Sequence, residues 1–309
     1  MNRGYGIVPP SCDFMHMKKK PVLIAIILIF VVGVGVLSYP FISSVVNNYA
    51  SRMDAEDYQK KVAILPEAEK STFYEEARGY NHSLNDNVIL KDPFDEEAYQ
   101  RIGDDYYNAF DTNGEGLIGY IDIPKINIYL PIYHGTSDEV LAQYAGHLAM
   151  TSLPIGGAST HAVISAHSAY PGKIFFDYLS DMTEGDDFYI HILDKTLKYE
   201  VDSISVVEPK ETKKLRITPG EDYVTLVTCT PYSVNTHRLL VRGKRAEYDD
   251  TQYIDIKPPV IRTQEGSLFF LGCKIPLWVF GIGIAAVVAA AIMIPILLTR
   301  RSRKGKHAR

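Results

Sequence analysis

The sequence predicts a mainly β fold, an antiparallel barrel or sandwich, and two observations support this prediction. In a domain assigned to residues 111–248 of the 309-residue chain, short runs of β-forming residues are separated by Gly, Pro and Asn/Asp turn signals. No long helices alternate with these runs, which disfavours a parallel sheet joined by helices. The predicted strands read LIGYIDI, INIYLPIY, HAVISAH, DFYIHIL, KYEVDSISVV, YVTLVTC and HRLLVRG.

A helical segment at residues 42–110 precedes this domain. Apolar residues at helical spacing from Ile42 to Met53 predict a first helix that breaks at Pro66, and the acidic EAEKSTFYEEA predicts a second. Residues 81–94 carry turn formers without a helical period and are expected to form an extended loop. The following DEEAYQRIGDDYYNAF predicts a short helix, because its acidic first turn suits a helix N-terminus.

Two apolar stretches predict transmembrane helices at residues 21–41 and 275–298, with a tether at 249–274 before the second. Each stretch has the roughly 20 residues needed to cross a bilayer core. A buried core helix is the alternative for each stretch. Length, uninterrupted apolarity and flanking positive charge favour the membrane.

The flanking charges also predict the orientation in the plasma membrane. Three lysines precede the first stretch and RRSRKGKHAR follows the second. The positive-inside rule then places residues 1–20 and the basic tail 299–309 in the cytoplasm, and residues 42–274 outside it. A cleaved signal peptide is disfavoured, because the first stretch is longer than the apolar part of a signal peptide and no A-x-A site follows it.

The distribution of charge excludes a nucleic-acid-binding protein. The chain has a net charge of −5, with four basic and one acidic side chain in residues 1–41 and six basic side chains in residues 275–309. Residues 42–274 therefore carry a net charge of −14, whereas a nucleic-acid-binding domain should be basic. This acidic region would favour a partner surface that presents lysines.

Cys229 is the one thiol well inside the predicted extracytoplasmic region, because Cys12 and Cys273 lie outside it or at its edge. An odd thiol on an exported domain forms an intermolecular disulfide, is buried and inert, or acts as a nucleophile. The cysteine count leaves all three interpretations open. A nucleophilic Cys229 would need an imidazole partner, because an unperturbed thiol has a pKa of about 8.5.

Arg238 is a candidate neighbour of the thiol. Cys229 ends one predicted strand and His237 opens the next, so pairing of the two strands would place Arg238 opposite Cys229. Arg238 shares strand parity with the polar Arg242, which favours Arg238 over His237 as the residue that points into a groove.

Four histidines are candidates for the imidazole partner: His147, His161, His167 and His237. His167 is favoured because it ends the apolar HAVISAH and precedes a Ser-Ala-Tyr-Pro-Gly turn, a position where a barrel presents functional side chains. A hydrogen-bonded loop histidine is the alternative interpretation.

These residues carry a resemblance to a known family. TLVTCTPYSVNTHRLLVRG (225–243) is similar to the TLxTC strand and downstream Arg of sortases, the surface transpeptidases of Gram-positive bacteria. IPKINIYLPIYHGTS (123–137) and GHLAMTSLPIGGASTHAVISAH (146–167) resemble the pilin-polymerising group, class C. The resemblance covers about residues 90–245. One departure is SAHSAYPG, which stands where a class C enzyme usually has a G-H-R-G-L-type run.

The resemblance implies an eight-stranded sortase β-barrel with a Cys-His-Arg site. Cys229 would be the nucleophile that attacks the Thr carbonyl of an LPXTG-like sorting signal, His167 the proton donor and acceptor, and Arg238 the cation that stabilises the oxyanion or holds the substrate. In class C a pilin lysine accepts the acyl group, and the product is an isopeptide bond between pilin subunits. Candidate groove residues near the thiol are Thr228, Thr230, Pro231 and Tyr232.

The same resemblance implies a lid. KDPF (91–94) matches the D-P-aromatic segment that covers the active site in class C, so Asp92, Pro93 and Phe94 are expected to lie over the thiol. Pro93 restricts the backbone on both sides of itself. Without the resemblance, an ordinary polar loop packed on the barrel is the favoured interpretation.

Three other functions are alternatives. A cell-wall anchoring sortase would transfer its substrates to peptidoglycan, and it typically lacks both the lid and the second membrane span. A secreted cysteine protease would bring an Asn or Asp to orient its histidine, and a non-enzymatic adhesin would not need Cys229.

We expect no metal and no other cofactor. No Cys/His spacing predicts zinc. The segment DTNGEGLIGYID (111–122) has EF-hand-like offsets, but it continues as a predicted strand where the exiting helix should begin.

Overall fold

The structure, a computed structural model, describes residues 19–84, 90–95, 102–112 and 114–248, together with three short strands between 261 and 276. Its centre is a closed barrel of eight strands, as the resemblance implied. The strands are β1 (Leu117–Ile123), β2 (Ile128–His134), β3 (Ala145–His147), β4 (Thr160–Ser165), β5 (Asp187–Ile192), β6 (Lys195–Val207), β7 (Asp222–Thr230) and β8 (His237–Arg245).

The order of strands around the barrel is β1-β2-β3-β4-β7-β8-β6-β5. All seven strands predicted from the sequence are present, and β3 is additional. The prediction of an antiparallel sheet is wrong for two pairs, because β2–β3 and β4–β7 are parallel. Parallel neighbours need a long crossover. Here β5 and β6 intervene between β4 and β7, and local sequence patterns do not reveal such remote pairing.

Four helices accompany the barrel within the described residues. The predicted break at Pro66 is confirmed, since it separates the first helix from the second. Residues 96–101 of the third predicted helix lie outside the described residues; within the described part a helix begins after Gly103, whose backbone is extended. The fourth helix was not predicted from the sequence. The helices are α1 (Lys19–Ile64), α2 (Glu67–Ser83), α3 (Asp104–Asn108) and α4 (Asp138–Leu141).

Tyrosines attach α1 and α2 to the barrel wall. The hydroxyl of Tyr58 on α1 donates to the Ile118 carbonyl on β1 and accepts from the Leu193 amide beside β5. The hydroxyl of Tyr74 on α2 donates to the Ile192 carbonyl. Both rings are buried, so each contact combines apolar burial with a satisfied hydroxyl.

The sheet formed by β4, β7 and β8 organises the region around the thiol. Leu226 and Val241 pair across β7 and β8 and are fully buried. On the opposite face, His161 lies between the Thr225 hydroxyl and the Arg216 carbonyl of the β6–β7 connection. Both faces of these strands are therefore covered, which explains why β4 is buried at every position.

The two predicted membrane spans lie only partly within the described residues. Helix α1 is continuous through the predicted span at 21–41 and beyond it. Among the residues that the structure describes, no helix meets the length and apolarity needed to cross a membrane. The predicted span at 275–298 lies outside the described residues except at its start, so both spans stay predictions.

The predicted tether at 249–274 stays a prediction. It contains most of a small antiparallel sheet formed by β9 (Ile261–Gln264), β10 (Ser267–Phe270) and β11 (Cys273–Pro276), in the order β11-β10-β9. Successive strands pair through two-residue connections, so the pairing is local.

Candidate active site

Cys229 lies next to the last residue of β7, directly across from Arg238 on β8. The antiparallel pairing of the two strands sets this position, as the sequence predicted. Cys229 is 8% exposed, and Arg238 is partly buried beside it. The next pair in the register joins Thr230 to His237.

His167 is held close to the Cys229 end of β7 by the parallel pairing of β4 and β7. Ser165 pairs with Val227, so His167, two residues later, continues on the same face as Cys229. Beyond the paired residues, two side-chain bonds join the strand ends. The Thr228 hydroxyl donates to the Ala166 carbonyl at 2.8 Å, and the Ser168 hydroxyl donates to the Cys229 carbonyl at 2.8 Å.

The covering segment, residues 91–94, lies over these side chains. The Asp92 carboxylate makes a bidentate ion pair with Arg238, with Nε–Oδ1 at 2.8 Å and Nη2–Oδ2 at 2.5 Å. The Phe94 ring lies between two partners: its centroid is 5.5 Å from the His167 ring centroid and 5.0 Å from Arg238 Cζ. Pro93 between them is buried.

The covering segment is also held on its N-terminal side. The hydroxyl of Thr212, in the β6–β7 connection, donates to the Leu90 carbonyl at 2.9 Å, and Leu90 is buried. The segment is therefore attached both before its first residue and, through the charged Asp92–Arg238 pair, within it.

The environment favours a neutral thiol and a neutral imidazole while the segment covers the site. Burial raises the pKa of the Cys229 thiol; the positive charge of Arg238 lowers it, and the Asp92 carboxylate raises it further. Burial lowers the pKa of His167, against opposing influences from Asp138 and Asp177. Asp92 also neutralises the positive charge of Arg238 in the covered site, so that charge is paired while the segment is in place.

The other candidate histidines lie elsewhere or have structural contacts. His147 is fully buried, with its ring nitrogens 2.8 Å from the Tyr106 hydroxyl and the Ser152 carbonyl. His161 is bonded within the wall as described above. His237 is exposed on β8, on the opposite strand parity from Arg238.

The predicted groove residues divide into two groups. Thr230 is half-buried, and Pro231 and Tyr232 are exposed in the connection after β7. The prediction that Thr228 lines a groove is corrected by the structure. Thr228 is 2% exposed, and its hydroxyl donates to the Ala166 carbonyl, so the residue belongs to the barrel wall.

Sequence reasoning missed three residues that support His167. Ser168 bonds to Cys229, as described above, and the Tyr170 ring stacks on His167 with centroids 5.2 Å apart. Asp177 accepts backbone hydrogen bonds in the same loop. Ser168 and Tyr170 lie in SAHSAYPG, so the departure from the class C pattern was itself the signal that could have identified them.

The comparisons with known proteins agree with this architecture. A family profile described as "Sortase domain" matches residues 121–246. Sortase C-1 from Streptococcus pneumoniae superposes with a TM-score of 0.60 at 45% sequence identity, covering 64% of this chain and all of that chain. A pilus-related sortase C of Group B Streptococcus gives 0.57 at 47% identity, covering 63% and 97% of the two chains.

A more distant relative is sortase A of Streptococcus agalactiae, which is 28% identical over 182 residues, 57% of this chain and 73% of that protein. The fold of this chain is thus shared with solved sortase structures. The chain belongs to the sortase family, and its structural neighbours place it in class C.

Proposed function

We propose that this sortase cleaves an LPXTG-like sorting signal between Thr and Gly and transfers the acyl group to a pilin lysine. The observation that carries the proposal is the grouping of Cys229, His167 and Arg238 at one edge of the barrel, beneath a segment bonded to Arg238. A thiol beside a guanidinium and an imidazole can supply a nucleophile, a charge stabiliser and a proton carrier.

The reaction has two acyl-transfer steps. The Cys229 thiolate attacks the Thr carbonyl carbon, the Thr–Gly amide bond breaks, and His167 gives a proton to the departing Gly amine. The thioester then reacts with a neutral lysine amine; His167 takes a proton from it, and the Cys229 thiolate leaves. Arg238 donates hydrogen bonds to the substrate oxygen that gains negative charge. In comparable sites one such donor stabilises the transition state by about 3–4 kcal/mol.

The covering segment acts as a lid in this proposal. While Asp92 is paired with Arg238 and Phe94 lies against His167, a sorting signal has no access to the thiol. Opening of the lid releases the guanidinium and removes a negative charge beside Cys229, so access and activation of the thiol come together.

A lysine acceptor is supported by the likeness to pilus-related sortase C structures and by the net charge of −14 in residues 42–274. An acidic catalytic region attracts a lysine-bearing partner surface. The enzyme is proposed to be anchored in the plasma membrane through residues 21–41 and 275–298, with both termini in the cytoplasm. Protease added to intact protoplasts should then digest 42–274 and spare a tag at either end; a C-terminal tag cut from outside would refute this topology.

The function is tested with the full chain in detergent, an LPXTG peptide and two acceptors, a lysine-bearing pilin domain and a peptidoglycan-type amine. We expect an isopeptide product with the pilin domain. Cys229→Ala should abolish thioester formation and His167→Ala should remove nearly all transfer, whereas His237→Ala, at an exposed position, should mainly affect stability.

Each other outcome identifies a different function. Transfer to the peptidoglycan amine alone would support a cell-wall anchoring sortase, and release of the free acid alone would support a protease. Activity that survives His167→Ala and is lost in His237→Ala would overturn the assignment of the proton carrier.

A further inference from the structure

The histidine loop, residues 167–178, is irregular throughout its described length and depends on hydrogen bonds for its shape. Ala169 has a φ of 60°, a left-handed conformation that costs free energy for a residue other than glycine. A loop of this kind keeps one conformation only when bonds to its backbone outweigh that cost.

Asp177 supplies two of these bonds. Its Oδ1 accepts from the Ala169 amide at 3.0 Å, and its Oδ2 accepts from the Phe175 amide at 2.8 Å. The loop is closed further by the Phe176 amide, which donates to the His167 carbonyl at 3.0 Å. The Asp177 carboxylate therefore fixes the backbone immediately after His167.

The same carboxylate also reaches the other side of the site. Tyr232 lies in the β7–β8 loop, residues 231–236, which joins Cys229 to Arg238. The Tyr232 hydroxyl donates to Asp177 Oδ1 at 3.1 Å, although the residue is 59% exposed and water was available as a partner. One side chain thus connects the loop that follows His167 to the loop that follows Cys229.

We propose that Asp177, through its bond to Tyr232, is a positioning residue that holds the His167 imidazole at a fixed distance from the Cys229 thiol. The inference rests on the proposed function, because it concerns the geometry of that site. The β4–β7 pairing fixes the backbones of the two strands, but the imidazole projects beyond the paired residues. A misplacement of about 1 Å can cost roughly a hundredfold in rate.

Two variants separate the bridge from the fold of the loop. Tyr232→Phe removes only the bridging hydroxyl and leaves both backbone bonds of Asp177. Asp177→Asn keeps the size of the side chain but turns an NH2 group towards one backbone N–H, so it weakens the loop and leaves only a neutral amide, a weaker acceptor than a carboxylate, for the Tyr232 hydroxyl. Glu184→Gln is the matched control, since it removes one negative charge at an exposed position seven residues further on.

With the full chain in detergent, an LPXTG peptide and a lysine-bearing acceptor, we expect both variants to lower kcat by about tenfold to a hundredfold with KM unchanged. Glu184→Gln should match the unchanged enzyme. The double variant should lose less activity than the two single losses combined, because both changes weaken one bridge. A wild-type kcat in Tyr232→Phe, or additive losses in the double variant, would overturn the proposal.

Amide hydrogen exchange tests the bridge without any turnover. Tyr232→Phe should speed exchange in residues 167–178, although the substituted residue lies in the other loop. Unchanged exchange in that loop would refute the bridge even in an active enzyme. If the unchanged enzyme forms no acyl product, the proposed function fails, and the exchange measurement still decides whether Asp177 connects the loops.

Discussion

At the scale of single residues, opposing influences set the state of the thiol. Burial and Asp92 raise the pKa of Cys229, and Arg238 lowers it. Asp92 also takes the guanidinium hydrogen bonds that a substrate would need. Asp92 thus both pairs with Arg238 and favours the protonated thiol. A substitution of the same size but without the charge tests the effect on the thiol.

Asp92→Asn should lower the pKa of Cys229. The amide keeps the size of the side chain but removes the negative charge that raises the thiol pKa. The thiolate fraction below that pKa then rises, so the curve of alkylation rate against pH should move to lower pH. The measurement is the iodoacetamide rate between pH 5 and 9.

Glu208→Gln serves as the control for that shift, because it removes one carboxylate from an exposed position on the β6–β7 connection. An Asp92→Asn curve that coincides with the control would show that the charge of Asp92 does not act on the thiol.

At the scale of elements, the proposed lid is attached to the barrel by side-chain contacts. Its attachments include the Asp92–Arg238 ion pair, the Phe94 contacts and the Thr212–Leu90 bond. The ion pair is bidentate and its side chains are only 11% and 15% exposed, so it is the strong attachment, whereas the ring contacts are individually modest. Because none of these attachments belongs to the strand pairing of the barrel, we expect the lid to open while the barrel stays closed.

Replacing Asp92 and Phe94 together with Ala should raise the rate of Cys229 alkylation and the turnover of a short LPXTG peptide. The reason is that the thiol is shielded by these two side chains, so their removal increases the population of the accessible state. Alkylation kinetics equal to those of the unchanged enzyme would show that these side chains do not shield Cys229.

Helix α1 contacts the histidine loop as a second element-level support. The Asn47 amide and the Ser43 hydroxyl both donate to the Gly172 carbonyl, at 2.8 and 3.2 Å. Gly172 has a φ of 73°, and a Cβ atom there would lie 2.6 Å from Ser43 Oγ. The loop that carries His167 is thus fitted against the helix that leads from the predicted membrane anchor.

Gly172→Ala should therefore displace the loop from α1. The left-handed backbone and the close contact together should cost about 1–3 kcal/mol, part of it released by movement of the loop. We expect lower transfer activity and faster amide exchange in residues 167–178. Gly185→Ala, with a φ of 91° but open space around it, is the control for backbone strain alone. Equal effects of the two changes would argue against the α1 contact.

At the scale of the whole molecule, four buried histidines make the fold sensitive to acid. Burial lowers the pKa of His147 to about 3, of His161 to about 4 and of His191 to about 3, and lowers that of His134 as well. In the unfolded chain these groups titrate near pH 6.5. Between those pH values the unfolded state binds more protons than the folded state. The contribution of these histidines to the free energy of unfolding is therefore fully present above about pH 6.5 and is lost as the pH falls.

The free energy of unfolding should decrease by up to about 1.4 kcal/mol per pH unit for each such histidine below pH 6.5. Urea unfolding followed by circular dichroism at pH 7, 6, 5 and 4 measures this slope. His191→Phe, which retains an aromatic ring for the stack on Tyr120, should reduce the slope, and the exposed His237→Gln should not. A slope equal in both variants would show that His191 does not contribute.

The local features of this protein follow from its amino-acid sequence alone. Strand alternation and turn residues predicted seven of the eight barrel strands, and Pro66 predicted the break between α1 and α2. The position of Arg238 opposite Cys229 was also readable, because a short loop joins β7 to β8 and neighbouring strands pair.

Only the tertiary structure decided the remote contacts. His167 comes near the Cys229 end of β7 through the parallel pairing of β4 with β7, two strands separated along the chain by β5 and β6. The resemblance favoured the same histidine, but no local pattern specifies such a pairing. The three-residue β3 is too short to show a period, and the bridge from Asp177 to Tyr232 joins loops 55 residues apart. Periodicity records which face of an element is buried, whereas the partner across a closed barrel depends on how all its strands pack together.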